Sequence, residues 1–74
     1  MSASVEGLRE QAAAVAKGGH TFSLWVPDAL TLNGQPVRRD VGMAILLDAI
    51  LALGFMPDGL TESAGGATYR YRRR

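Results

Sequence analysis

Val41-Gly42-Met43-Ala44-Ile45-Leu46-Leu47-Asp48-Ala49-Ile50-Leu51-Ala52-Leu53 is the stretch on which the fold turns, and Asp48 is its only charged residue. An ordinary surface helix carries one apolar stripe and one polar face; this segment lacks the second. Placed at helical spacing, Leu46, Leu53, Ile50, Met43, Leu47 and Leu51 form a bulky face suited to a sheet. Gly42, Ala44, Ala49 and Ala52 join Val41, Ile45 and Asp48 on a second face of mostly small side chains. The segment is therefore expected to be a buried organising rod, covered from more than one direction. Leaving two leucine-sized side chains wet would forgo about 1.5–3 kcal/mol each, a large share of a small domain's stability. A helix so covered cannot read DNA or carry catalytic groups.

The surrounding chain is short. Its 74 residues make one domain, and a core of that size is marginal unless something reinforces it. There is no cysteine and only one histidine, His20, so neither a disulfide framework nor a zinc site is expected, and no cofactor is implied. Tight packing or self-association remains. The absent cysteines fit a cytoplasmic location, and no apolar run reaches the length of a membrane span. Glu6, Arg9 and Glu10 interrupt any signal-peptide pattern. Net charge is +1, yet four of the eight basic residues fall in Arg70-Tyr71-Arg72-Arg73-Arg74.

Working outward from the central rod, Ser4 reads as an N-cap for a helix to Lys17, ended by Gly18-Gly19. Val5, Leu8, Ala12 and Val15 give that helix a narrow stripe, and its small residues suit it to cover the rod's second face. Thr21 to Val26 alternates as a strand, with Phe22, Leu24 and Val26 inward and Thr21, Ser23 and Trp25 outward. Asn33-Gly34 marks a hairpin between Leu30 and Val37, and Pro36 keeps its arms short or at an edge. Asp40 reads as the N-cap of the rod and Gly54 as its terminator. A second hairpin joins Leu60–Ser63 to Ala67–Arg72. The expected fold is a two-layer α+β domain of order α-β-(ββ)-α-β-β, a small antiparallel sheet of three to four strands with two helices on one face. It spans residues 1–74, with a frayed basic tail at 72–74.

Few residues offer chemistry. His20 has no positioned nucleophile or second titrating group beside it, so catalysis is not expected. The outward sheet face is the better candidate site. If the first and last strands are neighbours, Trp25, Arg70 and Arg72 share one surface. Together with Arg73 and Arg74 they suit either a protein hot spot or base stacking and phosphate contact on single-stranded RNA or DNA. A plainer reading is a tryptophan shielded by arginine stems. Arg38 and Arg39, with the free N–H groups that open the rod, form a candidate anion site.

The order helix, strand, helix, two-stranded wing resembles that of winged-helix DNA-binding domains but departs from it at two places. Those domains insert a further helix where this chain has Asn33-Gly34 and Pro36, and their recognition helix presents polar side chains to the major groove, whereas the rod offers only Asp48. The family is not assigned. The leading expectation is a small non-enzymatic protein-interaction or regulatory module that binds a protein partner or itself as a homodimer. The alternative is a small single-strand nucleic-acid-binding protein.

Overall fold

The computed structural model describes residues 1–74. Helix α1 (Val5–Ala16) starts where Ser4 supplies a cap, its Oγ accepting the Gly7 N–H at 2.9 Å. Val5, Leu8, Ala12 and Ala16 are its buried residues. Ala16 takes the place expected for Val15, which sits at the stripe's edge and stays 44% exposed. Ahead of the helix, β1 (Ser2–Ser4) pairs in parallel with β3 (Ala29–Leu32), Ser2 opposite Ala29. Three residues reading Ser-Ala-Ser are too short a run for alternation to mark a strand, so this one leaves no usable trace in the sequence pattern.

Strand β2 (Thr21–Pro27) keeps the expected alternation, with Phe22, Leu24 and Val26 buried. The β3–β4 hairpin forms as read, β4 being Gln35–Val37. Asn33 and Gly34 both hold positive φ, at 53° and 78°, the backbone a two-residue type I′ turn requires. Pro36 lies on an edge strand, where its missing N–H breaks no ladder. The hairpin stands where winged-helix domains place another helix.

Helix α2 (Arg39–Ala52) begins before its expected cap. Asp40 lies in the first turn, and Arg38 occupies the N-cap position without a side-chain cap bond. Gly54, at φ 90°, turns the chain into β5 (Phe55–Ser63), which pairs with β6 (Gly66–Arg73). Both strands outrun the expected hairpin. β5 already runs through Pro57-Asp58-Gly59, where the register shifts between Pro57 and Gly59 and a bulge absorbs Asp58.

The strands form two sheets rather than one. A mixed sheet has order β1-β3-β4 and an antiparallel sheet has order β2-β6-β5. Pro27 ends β2 without an N–H to extend a ladder, and β3 pairs instead with the segment before α1. The result is an α+β domain of order β-α-βββ-α-ββ. One cluster fills its centre, drawing Val5, Leu8 and Ala12 from α1, Phe22, Leu24 and Val26 from β2, and Leu46 and Ile50 from α2. Phe22 meets Phe55 edge-on at 5.0 Å and stacks on Tyr71 at 5.1 Å. No helix is long and apolar enough to cross a membrane.

The central rod is where expectation and structure part. Only Gly42, Leu46 and Ile50 of α2 are fully buried. A Cβ on Gly42 would lie 2.9 Å from Leu30 Cδ1 and 3.2 Å from Val5 Cγ2, so β3 and α1 both crowd this one stripe. The opposite side stays open. Val41 is 43% exposed, Ala44, Asp48 and Ala52 are exposed, and Leu47 and Leu51 are half-buried. α1 covers the small-residue face as expected at Gly42, with Ile45 and Ala49 half-buried beside it, but no element of so short a chain is left to cover Val41, Ala44, Asp48 and Ala52.

Candidate interaction surfaces

The open side of α2 continues into a groove. A cavity of about 310 Å³ separates Met43, Ala44 and Leu47 of α2 from Pro57 of β5 and Tyr69 and Tyr71 of β6, with Asp40, Gly59 and Arg70 completing its lining. Apolar side chains with a few polar groups are the usual make-up of a recognition cleft. Burial pushes the Tyr71 phenol up to about 12, and neighbouring Tyr69 adds to the effect. Sequence reasoning misses this surface because it places Met43 and Leu47, which line it, in a closed core.

The outer face of the antiparallel sheet gathers three of the candidate residues. Trp25 stands opposite Thr68, Arg70 opposite Ser23, and Arg72 opposite Thr21. Alternation puts all three on the side away from the helices, and Trp25 is 38% exposed. Its indole leans over Gly66, where an added Cβ would lie 2.8 Å from Cη2. Arg70 Nη1 donates to Thr61 Oγ1 at 2.9 Å, and its guanidinium covers Gly59. Arg72 Nε lies 3.6 Å from Asp58 Oδ1, both side chains being about half exposed.

Arg73 and Arg74 go elsewhere. Arg73 donates to Gly19 O at 2.7 and 3.0 Å and to Ala16 O at 3.3 Å. Arg74 Nη2 reaches Leu51 O at 3.2 Å, and its backbone N–H bonds Gly54 O at 2.9 Å. Neither helix has a basic residue in its last turn, so the terminal arginines serve both helix ends, where open carbonyls and the negative end of the dipole favour a cation. The tail expected to fray at 72–74 is anchored. The signal for this is spatial, since the capped carbonyls lie more than 20 residues away along the chain.

Arg38 and Arg39 do not converge. Arg38 pairs with Asp40 at 2.9 Å on the surface. Arg39 donates to Pro27 O and, at 3.2 Å, to Tyr69 Oη, with its guanidinium 5.9 Å from the Tyr69 ring centre. The pair divides between a surface ion pair and a strut from α2 to the sheet. His20 is exposed at the α1–β2 junction, where its carbonyl accepts the Arg73 N–H at 2.8 Å. No group of His, Cys, Asp and Glu residues is arranged to hold a metal. Glu6, the acid in the first turn of α1, ties that helix to the β3–β4 turn by accepting the Asn33 N–H at 2.7 Å. Its own backbone N–H and then that of Asn33 hold the carboxyl below its usual range.

Compared with protein-family models, with characterised proteins and with solved structures, the chain finds no match in any of the three.

Proposed function

We propose that this protein is a small non-enzymatic protein-interaction or regulatory module that docks through the open side of α2. The observation that carries the reading is continuity. The exposed Val41, Ala44 and Ala52 run into the groove walled by Leu47, Met43 and Pro57, and Asp40 and Asp48 are the only charges on that side of the helix. Contiguous apolar surface of this kind, edged by polar groups, marks protein contacts. A photo-crosslinking residue at Leu47 should form adducts with protein in cells. The same residue at the exposed, remote Glu10 should not. Adducts from neither position, or equally from both, would remove the reading.

One arrangement favours the second reading, a single-strand nucleic-acid binder. Trp25, Arg70 and Arg72 share the outer sheet face, as stacking and phosphate contact require. The Arg73 and Arg74 side chains are occupied on helix ends, which leaves Arg70 and Arg72 as its nearest cations. Titrating an oligonucleotide at low salt should then quench Trp25, and salt should reverse the quenching. Unchanged fluorescence eliminates it.

A further inference from the structure

We infer that the open side of α2 is covered by the same helix of a second copy of this chain, running antiparallel about a two-fold axis at the level of Leu46. The inference rests on the docking reading above and names its occupant. Charge placement supplies the argument.

The fold separates charge along the direction of α2. Both helices end at the pole where β6 finishes, and that pole carries Lys17, Arg72, Arg73 and Arg74 with Asp58 as the nearby acid. Both helices begin at the other pole. There stand Glu6 and Asp40 in the first turns, Asp28 bonded through its N–H to Gly65 O, and Glu62 opposite Ala67, balanced by Arg9 beside Glu6, Arg38, Arg39 and the amino group of Met1, whose strand pairs with the residues after Asp28. A second copy lying parallel would set cationic pole on cationic pole and Asp48 beside the partner's Asp48. An antiparallel copy keeps the two cationic poles apart, each against a pole where acids and bases balance, and the two helix dipoles oppose as well.

The carboxylates also choose the register. With the axis level with Leu46, Val41 faces the partner's Leu51 and Ala44 faces the partner's Asp48. Asp40 then falls at the partner's Ala52, beside the partner's Arg74, whose guanidinium covers Leu51 O at 3.2 Å. Sliding one helix by a turn in one direction sets Asp40 on the partner's Asp48. Sliding it the other way sets Asp48 on the partner's Asp48. Both slides bring like charges face to face, which is unfavourable. The small side chains Ala44 and Ala52 let the helices approach closely, and the apolar Val41–Leu51 pairs close the two ends of the contact.

Sedimentation of the full chain from roughly 1 μM to 1 mM tests the inference, a range spanning weak to moderate affinity. The expected result is a reversible monomer–dimer equilibrium. Ala44→Glu, which opposes the partner's Asp48, should weaken association at least about tenfold. Ala44→Lys should preserve or tighten it. Position 44 is exposed, and far-UV circular dichroism checks that both variants keep the fold. Because the chain has no cysteine, the double variant Val41→Cys/Leu51→Cys should give a disulfide-linked dimer on mild oxidation. Within one chain these positions are ten residues apart on a helix, about 15 Å and beyond the reach of a disulfide. A wild-type chain that stays monomeric throughout overturns the inference, and equal loss with glutamate and lysine at position 44 overturns the register. A Leu47 adduct to a different protein, from a chain that sediments as a monomer, would leave the docking reading standing while this inference fell.

Discussion

The Arg73 guanidinium lies 4.6 Å from the centre of the Phe55 ring while donating to the carbonyls that end α1. One side chain therefore joins the last strand, the first residue of β5 and the first helix. Arg73→Ala should lower the unfolding free energy by about 2 kcal/mol, combining charged hydrogen bonds with a ring contact. Arg73→Lys, which keeps the charge and loses the planar fork, should fall between. Arg72→Ala removes only an exposed pair and should cost under about 1 kcal/mol. Urea denaturation of the three variants checks the order.

Alkaline pH should unfold the protein through Tyr71. Its phenol is neutral and buried, with its pKa moved from 10.0 to about 12. A group raised in the folded state gives its full stabilisation below its unfolded value and loses it as pH rises through the folded one. Stability should thus fall between pH 10 and about 12. Tyr71→Phe should flatten that limb of a melting-temperature profile, and phenolate absorbance should show a late-titrating tyrosine in the wild type.

Acid acts at the opposite edge of the fold. The Glu6 carboxyl is held below 4.5, so its contribution is complete above that value and is lost as pH falls through the lowered one. Glu6→Gln should make stability less steep in this acid range. Amide exchange should then be faster at Asn33, whose N–H the carboxylate accepts.

Gly66 is required for want of space. An added Cβ would lie 2.8 Å from both Pro27 Cα and Trp25 Cη2 and would collide with the Val26 carbonyl. The indole can swing away, but the β2 backbone cannot without loosening the ladder. Gly66→Ala should therefore destabilise by about 1–3 kcal/mol and shift Trp25 emission toward the red as the ring leaves its seat. Thermal melts and fluorescence spectra read both effects.

What the sequence displays is local. Asn33-Gly34 announces its turn because only positive φ closes a two-residue hairpin there. Phe22, Leu24 and Val26 announce β2 because alternation is the strand's own period, and the same period places Trp25, Arg70 and Arg72 on one face once β2 and β6 pair. The early start of β5 is hidden, since the bulge at Pro57-Asp58-Gly59 uses residues that a turn also uses. The rod misleads differently. Its composition reports how much apolar surface must be covered but not by what, and α1 settled on the Gly42 stripe because only there can a neighbour come so near. The groove beside Leu47 follows from that choice, and so was hidden. The capping roles of Arg73 and Arg74 depend on helix ends far away in sequence, beyond the reach of any window of neighbouring residues.

Because the carbonyls that finish the first helix are satisfied by a side chain near the other end of the chain, assembly cannot be completed in the order of synthesis. A growing polypeptide can coil residues 5–16 early and close the turn with the Gly19 N–H on Ala16 O, but the Arg73 bonds form only when position 73 emerges and the β2–β6 ladder aligns it. Pairings of such long sequence separation slow the final step. They also make it all-or-none, so that trimming a few residues from this end should act on the earliest-made part of the molecule.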